Sequence, residues 1–178
     1  SERSQWLTGK AARSFVHTLR SECEAVMTGG NTVRMDNPSL TIRNPEKPVS
    51  PLKEQPWRII LTRNAASIPE NSICLTDEFR DRTLIVENVS NYLELLQNLY
   101  TERKISSLLL ESGGVLMKEF LKAGLVDEWV GFYAPVITGG GVDGVEGGDF
   151  LEREAHLVKP SARMFGNDVC IRGEVRYQ

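Results

Sequence analysis

Two short stretches, WRIILT at 57–62 and RTLIVE at 82–87, are almost unbroken in aliphatic character. A strand with one wet face alternates apolar and polar residues. A strand covered on both faces does not, and that pattern belongs to parallel sheets sandwiched by helices. EAVMTGG (24–30) and SSLLLE (106–111) read as further strands of this kind, closed by glycines or by a carboxylate.

Helical patterns lie between them. GKAARSFVHTLRSE has Thr8 ahead of it as N-cap and an apolar stripe of Ala12, Phe15, Val16 and Leu19. Arg13, His17 and Arg20 share another face, which reads as a solvated flank unless a ligand meets it. SNYLELLQNLYTER predicts a helix capped by Ser90, with Leu93, Leu96 and Leu99/Tyr100 on its packing side. GGVLMKEFLKAG predicts another, with Leu116, Phe120 and Ala123 inward and Gly124 as its stop.

The remaining segments are less regular. DNPS is a turn signal, because Pro38 restricts Asn37 and Asp36 can bond its own backbone, and LTIR after it reads as a short edge strand. Residues 44–56 hold four prolines and read as a surface loop. SIPENSICLT adds a minor element. LVDEWVGFYAPVI reads as a longer strand, and EREAHLVKP, ARMFG and DVCIRGEVRY as two or three hairpin strands. The glycine-rich tract 138–148 between them is either a connector or a loop over a ligand. The expected fold is α/β: a mostly parallel central sheet with helices on both faces and an antiparallel C-terminal edge.

Composition narrows the function. At 178 residues and a net charge of -3, the chain suits one domain and gives no electrostatic reason to expect nucleic acid. No apolar run reaches the length of a membrane helix and SERSQW is no secretory signal, so a cytoplasmic protein is expected. Cys23, Cys74 and Cys170 are odd in number and form no CxxC pair, and His17 and His156 match no ligand spacing. Free thiols and no metal are expected.

Ligands of parallel sheets bind beyond the carboxyl ends of the strands. MTGGNT, ILTR and LLLESGG end there, with glycines that admit a ligand to the backbone and with Thr28, Thr32 and Ser112 as hydroxyl donors. A helix opening at Gly113–Gly114 would aim free N–H groups at an anion. Neither the dinucleotide nor the P-loop fingerprint occurs. Glu111 reads either as a helix-end carboxylate or as an acceptor for ligand hydroxyls, and Asp36 is similarly ambiguous. The residues alone indicate an α/β domain for an anionic, nucleotide-like ligand.

SQWLTGKAAR followed by LRSECEAVMTGGNTVRMDNPSLTIR resembles the opening of the riboflavin-pathway pyrimidine reductase, usually the C-terminal half of a bifunctional deaminase/reductase. LLLESGGVLMKEFLKAGLVDEWVGFYAPVITGG and NDVCIRGEV resemble its later blocks, in the same order. The resemblance implies a dihydrofolate-reductase-like fold and NADPH as cofactor. It implies reduction of the ribose of 5-amino-6-(5-phosphoribosylamino)uracil to the ribitylamino product, by hydride transfer from nicotinamide C4 to the sugar C1′. It also implies a homodimer through the C-terminal strands, and a deaminase domain fused upstream in some full-length proteins. Ser4, Arg20, Leu40, Arg43 and Glu111 match substrate-contacting positions. Trp6, Thr32 and Asp36 match cofactor-contacting ones, and Gly113, Gly114, Val115 and Leu116 open the dinucleotide-phosphate segment, which runs to Glu119. Glu111 and Asp36 are the candidates for a catalytic role, Glu111 as orienter or proton relay and Asp36 as positioner of the cofactor. Two departures stand out. The family begins with a strand ending in a Ser-Leu-Asp-Gly type motif that these residues lack, and Arg63 follows ILT, either as a surface residue or as a contact for a 2′-phosphate. The zinc signature of the deaminase half is absent. Alternatives are a related reductase for another nucleotide or pterin-like substrate, and a non-catalytic nucleotide-binding module.

Overall fold

The computed structural model describes residues 7–43, 54–137 and 154–178. Ser4, Trp6, the glycine-rich tract and most of the proline-containing loop lie outside them. The order is α1 (Lys10–Glu22), β1 (Ala25–Gly29), α2 (Gly30–Asp36), β2 (Trp57–Thr62), α3 (Ile73–Thr76), β3 (Thr83–Glu87), α4 (Tyr92–Arg103), β4 (Leu108–Leu110), α5 (Gly114–Lys122), β5 (Glu128–Tyr133), β6 (Ala155–Phe165) and β7 (Asp168–Tyr177).

Four strands form a parallel sheet in the order β3-β2-β1-β4. Central β1 pairs Thr28 with Ile60 on one side and Met27 with Leu110 on the other. Helices cover both faces, which explains the unbroken aliphatic runs. On one face Met27, Ile59 and Leu61 pack with Leu99 of α4 and Phe120 of α5. On the other, Ile60 packs with Val33 of α2, Ile68 and Cys74 of α3.

The C-terminal strands are antiparallel, as expected, and form a sheet of their own rather than an edge of the parallel one. Among the described residues β5, β7 and β6 form a separate antiparallel sheet, with β5 on its edge. Leu108–Leu110 of edge strand β4 and Trp129 and Val130 of β5 line a common cavity of about 680 Å³, so the two edges face one another without pairing. β6 and β7 make one long hairpin, irregular between Val158 and Ser161, and Phe15 of α1 packs against Phe132 and Phe165 of this sheet.

Several local expectations are corrected. Gly9, not Thr8, caps α1, and its N–H donates to Asp168 Oδ2 at 2.6 Å. Asn91, not Ser90, caps α4 by accepting from the Glu94 N–H at 3.1 Å. Leu93 and Tyr100 are exposed, and α4 packs instead through Tyr92, Leu95, Leu96 and Leu99. Ala123 is exposed, because α5 ends at Lys122 before another turn can reach the core. The strand expected over 125–137 pairs only from Glu128 to Tyr133. The stretch before the DNPS turn signal, left unassigned above, is helical from Gly30 to Asp36, and LTIR forms no strand.

Arg58 interrupts the aliphatic pattern of β2 and is 1% exposed. Its guanidinium binds both oxygens of Asp77 at 2.7 and 2.8 Å and the carbonyls of Cys74 and Ser39 at 2.9 and 3.1 Å. Burial opposes ionisation of Asp77, but the Arg58 hydrogen bonds and charge outweigh it and lower its pKa. The resulting stabilisation is complete above the unfolded carboxylate value of 3.8 and is lost as pH falls through the lower folded value. Asp77→Ala leaves a buried guanidinium unpaired and is expected to cost about 3 kcal/mol, measurable by equilibrium urea unfolding.

Candidate active site

Strands β2 and β3 are added on one side of β1 and β4 on the other, so the order of parallel strands switches between β1 and β4. Such switch points open a crevice at the carboxyl ends of the strands. Here that place holds Gly29 and Gly30 after β1 and Ser112 and Gly113 after β4. A Cβ on Gly29 would stand 4.0 Å from Leu116 Cδ2, so the first turn of α5 lies against the end of β1. A Cβ on Gly30 would fall within 2.9 Å of Ile68 and 3.0 Å of Thr62, a contact only glycine permits without movement.

Arg20 and Glu111 meet in this region. Arg20 Nε donates to Glu111 Oε1 at 2.6 Å and Nη2 to Oε2 at 2.7 Å, a two-pronged pair that joins α1 to the end of β4. Its remaining nitrogen, Nη1, donates to the Thr41 carbonyl at 2.8 Å. Arg20 is only 9% exposed, so the solvated-flank expectation fails for it: the third turn of α1 lies over the crevice and the cation is neutralised there. The Glu111 N–H continues the sheet by donating to the Met27 carbonyl at 2.9 Å, which fixes where the carboxylate starts.

The segment from Asn37 to Arg43 is irregular and held by side chains. Asn37 and Leu40 have left-handed backbones, with φ of 43° and 54°. Ser39 and Thr41 share a hydroxyl hydrogen bond of 3.0 Å, Gln55 Oε1 accepts from the Ile42 N–H at 2.7 Å, and His17 Nδ1 accepts from the Arg43 N–H at 3.0 Å. His17 is held below its ordinary pKa by burial first, then by the Arg20 and Arg43 charges; the Thr41 carbonyl and Glu111 pull the other way. Leu40 is buried and Arg43 exposed.

The residues on α5 suit a dinucleotide phosphate. Gly113 caps the helix without a side-chain hydrogen bond, and a Cβ there would meet nothing within 4 Å. The first-turn amides of Gly114, Val115 and Leu116 therefore have no side-chain cap at Gly113 and are candidates for an anion. Thr28 Oγ1 and Ser112 Oγ are buried without a protein partner among the described residues, at the ends of the two strands that border the crevice. Such hydroxyls fit a polar ligand. Thr32 is half-buried on α2 and Asp36 is exposed at its last residue.

The sequence model of the RibD C-terminal domain matches residues 1–171. The chain belongs to the RibD C-terminal domain family. The riboflavin biosynthesis protein RibD of Synechocystis is 34% identical over 154 residues, 77% of this chain and 41% of that protein. RibD of Aquifex aeolicus is 31% identical over 191 residues, covering 94% of this chain and 51% of that one. Among solved structures, RibD of Acinetobacter baumannii superposes with a TM-score of 0.82 at 26% identity, over 97% of this chain and 52% of that one. The Thermotoga maritima protein named diaminohydroxyphosphoribosylaminopyrimidine deaminase/5-amino-6-(5-phosphoribosylamino)uracil reductase superposes at 0.74 and 26% identity, over 98% and 51%. The chain thus spans about half the length of these RibD relatives. Its fold is that of the matching half of these RibD structures. No helix of the described residues is long and apolar enough to cross a membrane.

Of the sequence-predicted residues, the structure brings Arg20, Glu111, Arg43 and Leu40 into one neighbourhood and sets Gly113 to Leu116 beside it. The sequence reading missed Thr41 as the anchor of Arg20, and His17 as the acceptor for Arg43. The signal for His17 was its place one turn before Arg20. A double-mutant cycle with Arg20→Met and Glu111→Met is expected to give a coupling of about 2 kcal/mol in urea unfolding, each single variant being worse than the pair.

Proposed function

We propose that this crevice is the active site of a reductase that uses NADPH to convert the ribose of 5-amino-6-(5-phosphoribosylamino)uracil to the ribitylamino product. The observation that carries the reading is the meeting of the Arg20–Glu111 pair with the uncapped N-terminus of α5. One end of the hollow offers cations and a carboxylate, the other offers backbone N–H groups. A phosphoribosyl compound and a dinucleotide together need both.

When bound, the reduced nicotinamide supplies the hydride for the sugar C1′. The amides of Gly114, Val115 and Leu116 would hold the diphosphate, with Gly113 leaving room for it. Thr32, Asp36 and Trp6 are assigned to the cofactor and Arg63, exposed beyond β2, to its 2′-phosphate. Arg43 and Ser4 are assigned to the substrate. Arg20 retains one further N–H on each terminal nitrogen beyond its bonds to Glu111 and Thr41, so it can serve the sugar phosphate while paired. Leu40, buried beside Thr41, shapes the wall. Glu111 has both oxygens in the guanidinium fork and acts as an acceptor that orients the ribose hydroxyls.

Three further assignments accompany this reading. The cavity between β4 and β5 is bordered by two strand edges that are unpaired among the described residues and by apolar side chains, and suits the opening strand of the family. The outer face of the β5-β7-β6 sheet sets exposed Tyr133 and Met164 across Val169 and is assigned to a second copy of the chain. A deaminase unit in the same polypeptide, as the Thermotoga name describes, would supply the substrate.

The test is NADPH oxidation with the aminouracil ribosyl phosphate, measured for this chain alone and with the opening strand of a RibD relative fused ahead of it. Turnover that needs the phosphate and falls at least about 100-fold in Arg20→Ala is expected. Unchanged turnover in that variant, or oxidation driven only by other nucleotides or pterins, would reject the assignment. Tight cofactor binding without oxidation would indicate a binding module. Tyr133→Glu is expected to sediment as a monomer while the parent chain sediments as a dimer.

A further inference from the structure

We propose that His17 is a positioning residue for ligand binding: with Nδ1 unprotonated it fixes the Arg43 backbone, and protonation frees Arg43 from the hollow. The role of Arg43 in substrate binding rests on the reductase reading, whereas the clamp itself rests on geometry.

The Asn37–Arg43 segment forms no ladder, so its shape depends on the side chains that bind its backbone. Arg58 takes the Ser39 carbonyl, Arg20 the Thr41 carbonyl, Gln55 both polar groups of Ile42, and His17 the Arg43 N–H. Guanidinium and amide groups keep their hydrogen-bonding character across physiological pH. Imidazole does not. His17 holds the last residue of the segment, which is also its one exposed cation.

An N–H donated to Nδ1 requires a lone pair there. Once Nδ1 carries a proton, two N–H groups oppose each other and the bond is lost. The groups that face the ring are Arg20 on the same helix, Arg43 and the Thr41 carbonyl on the segment, and Glu111 beyond β4. Both oxygens of Glu111 are held by Arg20, so the carboxylate is poorly placed to compensate a third cation. Burial and the two arginines keep the ring neutral to a lower pH than an exposed histidine. The sign follows: the clamp is complete above the ordinary value of 6.5 and opens as pH falls through the lowered folded value.

Two measurements decide the matter. The first follows the Arg43 amide and the His17 ring of this chain by NMR between about pH 5 and 8. The proposal expects both to titrate with one midpoint, and expects the amide to stop titrating in His17→Gln, whose side-chain oxygen can still accept. An Arg43 amide that stays still while the ring titrates overturns it. The second measures KM for the aminouracil ribosyl phosphate over the same range. Ionisation of the ligand phosphate, near pH 6, acts alike on wild type and His17→Gln, so the difference between them reports His17. Wild type is expected to lose about five-fold in KM relative to His17→Gln in acid, the size of one modest hydrogen bond, with kcat unchanged. His17→Leu is expected to show the raised KM at every pH. Parallel KM profiles for wild type and His17→Gln overturn the proposal. Absence of turnover at any pH counts against the reductase reading and leaves the amide measurement to decide the clamp.

Discussion

The two-pronged ion pair between Arg20 and Glu111 sets the geometry on which the rest of the crevice depends. A guanidinium at 9% exposure cannot stand without a partner, and Glu111 is carried to it by the last hydrogen bonds of β4. Through Thr41 the same cation reaches the irregular segment after α2. Three parts of the chain far apart in sequence thus share one charge. Loss of either partner would release the helix, the strand end and the segment together.

Much of the fold could be read from the sequence because its strands have one unambiguous signature. Aliphatic runs at 57–62 and 82–87 require cover on both sides, and helices supply it. Helix ends were less legible. Thr8 and Ser90 satisfy the usual preference for a cap, yet Gly9 and Asn91 take the position, because the Asp168 carboxylate and the Glu94 amide lie where they do. The Asp168 acceptor, 159 positions from Gly9, cannot be seen in a local pattern, whereas Asn91 is a local cap as good as Ser90 beside it. The short helix α2 was missed for a related reason: its Gly-Asn-Thr-Val start is a poor helix former, and contact of Val33 with Ile60 and Cys74 holds it.

The crevice was partly legible. Glycines at 29, 30, 113 and 114 mark backbone that must come close to something, and parallel pairing puts all four on one edge of the sheet. What the pattern does not carry is pairing between side chains. Arg13, His17 and Arg20 look equivalent on a helical wheel, yet Arg20 is buried and His17 serves as an acceptor. Arg58 was the missed clue of greatest value: a lone arginine in WRIILT announces a buried carboxylate and carbonyls to meet it, here Asp77, Cys74 and Ser39.

The N–H of Gly9 ends on Asp168, the first residue of the last strand, and Phe15 lies between Phe132 and Phe165. The helix that carries both His17 and Arg20 is therefore seated by residues as far as 159 positions further along the chain. While the C-terminal hairpin is still inside the ribosome, the parallel sheet can form but α1 has no seat, and the hollow remains unassembled. The shape of the hollow thus depends on a hairpin that leaves the ribosome long after the helix it seats.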